Sequence, residues 1–175
     1  VLEDGFGGIP RVHARPYVWG FGVNPENPFE PDLVEPLQVI ALLKEAGVRL
    51  LNVSMGNPYV NPHIGRPYEK PNEGAYFEPE HPLVGVARHF DATAHIQAAF
   101  PDLAVVGTGY SWLQHFMINA GAANLKLGRT TLVGVGRGAL AYPEFARDAL
   151  TRGALDPRRT CKTLSYCTYL MRQKK

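Results

Sequence analysis

Residues 103–143 read LAVVGTGYSWLQHFMINAGAANLKLGRTTLVGVGRGALAYP, and this stretch decides the fold. It contains two short apolar runs, residues 103–109 and 131–138, and each run ends in glycines. A helical pattern from Ser111 to Leu127 separates the runs, and Gly128 closes it. A strand–helix–strand unit of this kind makes its two strands parallel neighbours. The sequence therefore predicts that both glycine-rich strand ends lie at the same carboxyl edge of a sheet.

The glycines at these strand ends predict a phosphate site. In (β/α)8 barrels, a phosphate binds at the loops that follow the last two strands. Glycine lets backbone N–H groups approach a phosphate closely, and arginine adds a bidentate charged contact. We therefore expect Gly107, Thr108, Gly136 and Arg137 to hold the phosphate of a cofactor.

Two alternatives remain for the second glycine run. Residues 134–139 match the dinucleotide fingerprint G-x-G-x-x-G/A, which binds a pyrophosphate at the start of a helix. That fingerprint expects a further strand ending in an acid, and Asp148 to Asp156 has no strand pattern, which disfavours the dinucleotide fold. In the other alternative the glycines serve tight turns alone.

The rest of the chain repeats the same order of elements. Helices are predicted over 32–46, 81–100 and 144–150, a further strand over 49–54, and a last helical segment over 156–171. This amounts to about three and a half βα units, whereas a closed barrel takes about 250 residues. The predicted fold class is α/β, the C-terminal half of a (β/α)8 TIM barrel.

We treat residues 1–175 as a single partial barrel domain. It has a Gly/Pro-rich loop region at 1–31 and a C-terminal helical tail at 156–175. The opening residues VLEDG read like the end of a strand, so we expect the parent protein to begin upstream of Val1.

Composition excludes several function classes. The chain is 45% hydrophobic and 19% charged, as in ordinary globular domains, and its net charge of +2 predicts neither nucleic acid nor an acidic membrane as partner. It has no apolar run long enough to span a bilayer, no secretory h-region in its opening residues and only two cysteines, so we expect a cytoplasmic setting.

Metal binding is not predicted either. The six histidines show no metal-ligand spacing. Cys161 and Cys167 flank Leu164 in a segment like C-x-x-C-x-x-C, but an iron–sulfur cluster needs four thiolates and is not expected here.

The loop that follows the strand at 49–54 predicts a substrate site. It is polar and stiffened by prolines, and barrel enzymes bind substrate at the carboxyl ends of their strands.

Together these motifs resemble the old yellow enzyme family of FMN-dependent NAD(P)H oxidoreductases, in particular its bacterial branch near 2,4-dienoyl-CoA reductase. The resemblance covers nearly the whole chain from about Trp19. The motifs that carry it are LNVSMGNPYVNPHIGRPY (51–68), EHPLVGVARHF (80–90), VVGTGYSW (105–112) and VGVGRGALAYPEFARDAL (133–150).

The resemblance implies a (β/α)8 flavoprotein barrel with FMN at the carboxyl ends of its strands, NAD(P)H as reductant and an enone-type small molecule as substrate. Contacts to the FMN phosphate would come from Gly107, Thr108 and Gly109 after the seventh strand, and from Gly136 and Arg137 after the eighth. The loop after the sixth strand, with Asn57, Tyr59 and His63, would lie near the substrate.

The chain also departs from the family pattern. No stretch matches the family's substrate-activating histidine pair, its proton-donating tyrosine or its flavin-ring contacts, so no catalytic residue is assigned. One hypothesis is the C-terminal half of an ene-reductase, active only with its missing N-terminal half. The alternative is a non-catalytic half-barrel that binds phosphate or flavin. In either case the unpaired sheet edges predict association with the missing half or as a homo-oligomer.

Overall fold

The computed structural model describes residues 3–4, 10–11, 31–56, 62–71 and 76–173. Within them the chain is mixed α/β. Two short strands, β1 (Glu3–Asp4) and β2 (Pro10–Arg11), pair antiparallel with each other.

A three-stranded parallel sheet forms the centre of the fold. Its strands are β3 (Leu50–Asn52), β4 (Ala104–Gly107) and β5 (Leu132–Val133), in the order β3-β4-β5. Leu51 pairs with Val105, and Gly107 pairs with Val133. The predicted parallel neighbours of the 103–143 stretch are thus confirmed, and a third strand extends the sheet.

Helices connect and flank these strands. Their bounds are α1 (Val34–Glu45), α2 (Pro62–Gly65), α3 (Pro82–Ala99), a 3-10 helix (Tyr110–Phe116), α4 (Met117–Lys126), α5 (Arg137–Ala141), α6 (Phe145–Arg152) and α7 (Tyr166–Arg172). Gly47, Gly128 and Gly153 follow three of them with φ of 99°, 66° and 65°, a conformation that ends a helix at little cost for glycine. At the start of α3, His81 Nδ1 accepts a hydrogen bond from the Leu83 N–H.

Three details differ from the sequence-based predictions. The helix expected from Ser111 begins as a 3-10 helix and breaks at Gln114, whose φ is 55°. The short helix α5 directly after the second glycine run was not predicted. The last helical segment is helical only over Tyr166–Arg172, because Thr163 and Ser165 take positive φ and interrupt any helix before it.

The main core lies on one face of the sheet. Ile40 of α1 and Ile96 of α3 pack there with Val53, Leu103 and Val105. A second cluster fills the space around α4 and the segments that follow it, and its buried members are Tyr110, Met117, Tyr142 and Leu155. Apolar burial on this face therefore fixes how the helices sit on the sheet.

The opposite face of the sheet is open. Leu50 is 57% exposed and Leu132 is 46% exposed, although both belong to strands. Asn52 is exposed beside them. In the described part of the chain, helices cover only one face of the sheet.

Candidate functional site

A cleft opens at the carboxyl ends of β4 and β5. We call it the strand-end cleft; its volume is about 470 Å³. It brings together four of the residues predicted to bind a cofactor phosphate: Thr108, Gly109, Gly136 and Arg137. The other lining residues are Asn52, Ser54, Gly65, Arg66, Pro67, Ser111, Gly134 and Val135.

Gly107 has a different place from the one predicted. It is buried and does not line the cleft. Its N–H donates to Thr130 Oγ1 at 3.0 Å, so this donor is already in use. A Cβ on Gly107 would lie 3.1–3.3 Å from Thr130, Thr93 and Tyr110. The geometry therefore makes Gly107 a packing residue beneath the cleft.

Gly134 determines how closely the two strand ends approach each other. Its N–H donates to the Gly107 carbonyl at 2.8 Å. A Cβ here would lie 2.9 Å from that carbonyl oxygen and 2.9 Å from Val106 Cγ1. Close packing against β4 therefore accounts for this glycine. It does not account for Gly136, where a Cβ would meet nothing within 4 Å.

Backbone donors are available in the loops of the cleft. The N–H groups of Gly109, Val135 and Gly136 make no hydrogen bond to another described residue. Gly136 is exposed and Gly109 and Val135 are half-buried, so solvent satisfies these N–H groups until a ligand takes its place. Successive N–H groups in strand-end loops are a common way to bind an anion.

Thr108 contributes to the cleft differently. Its hydroxyl donates to the Val53 carbonyl at 2.8 Å and lies 3.2 Å from Nδ1 of His89. A hydroxyl has one proton, so this one is committed inside the protein. The Thr108 side chain therefore fastens its loop to β3 rather than offering a donor to a ligand.

His89 lies beneath Thr108 and is fully buried. Its Nε2–H donates to the Ile64 carbonyl at 2.9 Å. Burial lowers the pKa of His89 to about 4, so the ring is neutral at pH 7. With Nε2 protonated, Nδ1 carries no proton and competes with the Val53 carbonyl for the single Thr108 hydroxyl proton, which stays inside the protein in either case.

Arg137 supplies positive charge to the cleft. Its Nη2 donates to the Pro67 carbonyl at 2.8 Å, which ties the start of α5 to the segment after α2. Burial lowers the pKa of Arg137, and the nearby Arg66 guanidinium lowers it further. Arginine still remains charged at physiological pH.

Arg66 is a second arginine on the cleft wall, and it was absent from the predicted site. Its Nη1 donates to Thr168 Oγ1 of α7 at 2.9 Å. Its Nε is buried and has no hydrogen-bond partner among the described residues. The available signal was an arginine between Gly65 and Pro67 in the predicted substrate loop, but the sequence did not show which way that loop folds.

Of the three predicted substrate residues, the structure describes only His63, and His63 does not line the strand-end cleft. Asn57 and Tyr59 lie outside the described residues. His63 is buried on α2, where its Nδ1 is hydrogen-bonded to the Tyr76 hydroxyl and its Nε2 lies 3.9 Å from Glu80. Burial lowers the pKa of His63.

Other kinds of site were sought in the described part of the chain. No group of three or more histidine, cysteine, aspartate or glutamate side chains there is arranged to hold a metal ion. Both cysteines are free thiols, and both lie within electrostatic range of Arg137. No helix among the described residues is long and apolar enough to cross a membrane. Comparison of the chain with protein-family models, curated proteins and solved structures gave no match.

Proposed function

We propose that this chain carries the phosphate half-site of an FMN-dependent NAD(P)H oxidoreductase of the old yellow enzyme type. The observation that carries the proposal is the strand-end cleft. Loops after two neighbouring parallel strands meet there, with glycine backbone and arginine on the wall. Barrel enzymes bind phosphate at this place in the fold.

The residues of the cleft fit a phosphate. The N–H groups of Gly109, Val135 and Gly136 lack acceptors among the described residues. Arg137 provides a charge beside them, and none of the described residues that line the cleft is a carboxylate that would repel an anion. The empty space over Gly136 lets a ligand approach its backbone.

The chain's own residues would bind and orient the phosphate end of the cofactor. Charge-assisted hydrogen bonds from Arg137 would hold the phosphate, while the bonds from Thr108 to Val53 and from Gly134 to Gly107 keep the loops in place. When bound, the flavin ring supplies two-electron redox chemistry between NAD(P)H and an enone. Contacts to that ring are expected from strands that this chain does not contain.

The proposed architecture is the C-terminal half of a (β/α)8 barrel. Three parallel strands with helices on one face agree with it, and the open face with Leu50 and Leu132 would then face the barrel interior. The partner would be the missing N-terminal half or a second copy of the chain, since exposed apolar surface and free strand edges favour association.

One observation favours the alternative of a non-catalytic binding half-barrel. Among the described residues that line the strand-end cleft, Arg66 and Arg137 are the only ones with a titratable side chain. General acid–base chemistry requires a group that changes protonation near the working pH, and arginine does not. This cleft can bind and position an anion without catalysing its reaction.

Ligand titration tests the proposal. FMN and riboflavin differ only in the phosphate, so their affinities for the 175-residue chain isolate its contribution. We expect FMN to bind at least about tenfold more tightly, the scale of one charge-assisted hydrogen bond. Equal affinities would contradict the phosphate half-site. Both hypotheses predict no enone reduction with NAD(P)H by this chain alone, so turnover in that assay would contradict both.

A further inference from the structure

We propose that Arg66 is a second phosphate anchor, and that together with Arg137 it makes the strand-end cleft selective for a doubly charged phosphate monoester over a singly charged diester. This inference rests on the proposed phosphate half-site. It goes beyond it by adding a residue and by defining the charge of the group that the cleft accepts.

The Arg66 guanidinium keeps two donors, Nε–H and Nη2–H, without an acceptor among the described residues. Thr168 Oγ1 accepts from Nη1 at 2.9 Å, which fixes the guanidinium from the side of α7. Nε is buried without a partner, and no described residue accepts from Nη2. Nε–H and Nη2–H are the pair that binds a carboxylate or phosphate with two parallel hydrogen bonds. A buried donor without an acceptor is costly, so an anion that accepts from it is strongly favoured.

Arg66 and Arg137 are held together by the backbone between them. Arg66 directly precedes Pro67, and the Pro67 carbonyl accepts from Arg137 Nη2 at 2.8 Å. Both side chains line the same cleft. The protein thus brings two like charges together, with no carboxylate among the described residues of the cleft wall. A ligand with two negative charges offsets their repulsion.

The charge of the ligand follows from this arrangement. A phosphate monoester carries between about 1.5 and 2 negative charges at pH 7, whereas a diester carries one. A monoester also keeps three terminal oxygens, enough for two arginine contacts and for the N–H groups of the loops. Replacing one terminal oxygen by a second ester removes one acceptor and half of the charge.

The experiment compares two small probes on the 175-residue chain. Glycerol 3-phosphate is a monoester and dimethyl phosphate is a diester, and both are small enough for the cleft. We expect the wild-type chain to prefer the monoester by about tenfold or more. Arg66→Gln should weaken monoester binding by about tenfold and reduce this preference to less than about threefold, because one anchor and one charge are lost.

Two further variants separate direct binding from support. Arg66→Lys keeps the charge but cannot offer two parallel donors, so an intermediate loss of monoester affinity is expected. Thr168→Val removes only the acceptor of the Arg66 Nη1 hydrogen bond. It should therefore lower monoester affinity less than either change at Arg66. If Arg66→Gln does not fold, as judged by circular dichroism, Arg66→Lys decides the test: unchanged monoester affinity in it would refute the anchor.

The outcomes distinguish this inference from the proposed function. If FMN binds more tightly than riboflavin but monoester affinity is the same in wild type and Arg66→Gln, the second anchor is wrong and the half-site stands. If the chain prefers the monoester through Arg66 but binds FMN no better than riboflavin, the anchor stands and the flavin assignment fails. Absence of binding to both small probes by the wild-type chain contradicts the inference.

Discussion

Two of the clefts formed by the described residues are nearly equal in size but differ in their charge and in their free backbone donors. The strand-end cleft has a volume of about 470 Å³. The other, which we call the helix-side cleft, measures about 500 Å³ and lies between α1 and α3. Its lining residues are Pro31, Asp32, Leu33, Val34, Leu37, Asp91, Ala92 and His95.

Their charges are opposite. Counting the residues that the structure describes, two arginines and no acid line the strand-end cleft, while two aspartates and no lysine or arginine line the helix-side cleft. An anion would therefore be attracted to the first and repelled by the second.

Their backbones differ as well. Residues from the interior of α3 line the helix-side cleft, and the N–H groups there are used within the helix. At the start of α1, Asp32 Oδ1 already accepts from the Val34 N–H. The strand-end loops instead leave the N–H groups of Gly109 and Gly136 without acceptors among the described residues. The comparison teaches that recognition depends on the donors that a cleft leaves free, and that volume alone says little.

The largest effect is expected from the buried histidine under the strand-end cleft. The folded chain keeps His89 neutral, with a pKa of about 4, and the unfolded chain protonates it below about 6.5. Acidification from pH 6.5 to 4 therefore favours the unfolded state, by a total of the order of 3 kcal/mol from this residue. Urea unfolding at pH 7, 5 and 4 measures the loss.

Variants on the same helix assign that pH dependence. His89→Gln should remove much of the change in unfolding free energy between pH 7 and pH 4. His63 contributes to the remaining change, because burial lowers its pKa too. His95→Gln is the matched control, since His95 is exposed and lines the helix-side cleft. If His89→Gln shows the same pH dependence of unfolding free energy as the wild-type chain, the neutral His89 ring is not the source of that pH dependence.

Removal of the Arg137 charge should weaken phosphate binding next most strongly. Arg137→Gln is expected to cost about 1.5–3 kcal/mol of binding free energy for glycerol 3-phosphate, the scale of a hydrogen bond to a charged group. Calorimetric titration measures it. Arg158→Gln is the control, because that side chain is 90% exposed and pairs with Asp156 away from the cleft. Equal affinities in the two variants would leave Arg137 without a role in anion binding.

A pair of glycine variants tests how the strand ends are packed. Gly134→Ala should lower the free energy of unfolding by about 1–3 kcal/mol, because its Cβ would press on backbone and on Val106. Gly136→Ala should change it by less than about 0.5 kcal/mol, because a Cβ there meets nothing within 4 Å. Chemical denaturation of both variants measures these free energies of unfolding. Similar losses in the two variants would mean that close packing does not distinguish these glycines.

The smallest effect is expected in the helix-side cleft. Asp91→Asn removes one of its negative charges but adds no free backbone donor and no cation to its wall. Phosphate binding measured with this variant should stay within about twofold of wild type. A gain in phosphate affinity would show that charge alone, without free N–H groups, controls anion binding on this protein.

The sequence by itself determined the arrangement of neighbouring elements. Apolar runs ending in glycine predicted β4 and β5 as parallel strands, and Gly128 marked a helix end where the structure has it. These signals are local: strand period, helix period and the conformational freedom of glycine act within a few residues. For the same reason the sequence predicted that Gly109, Gly136 and Arg137 would lie near one another.

Only the tertiary structure decided which donors of the site remain available. The Gly107 N–H already donates to Thr130 Oγ1, and the Thr108 hydroxyl already donates to the Val53 carbonyl. Arg66 reached the cleft because Thr168, 102 residues further along the chain, holds its guanidinium. Such pairings depend on the distance between segments far apart in sequence. That distance is set by how the helices pack on the sheet, and no local pattern of residues encodes it.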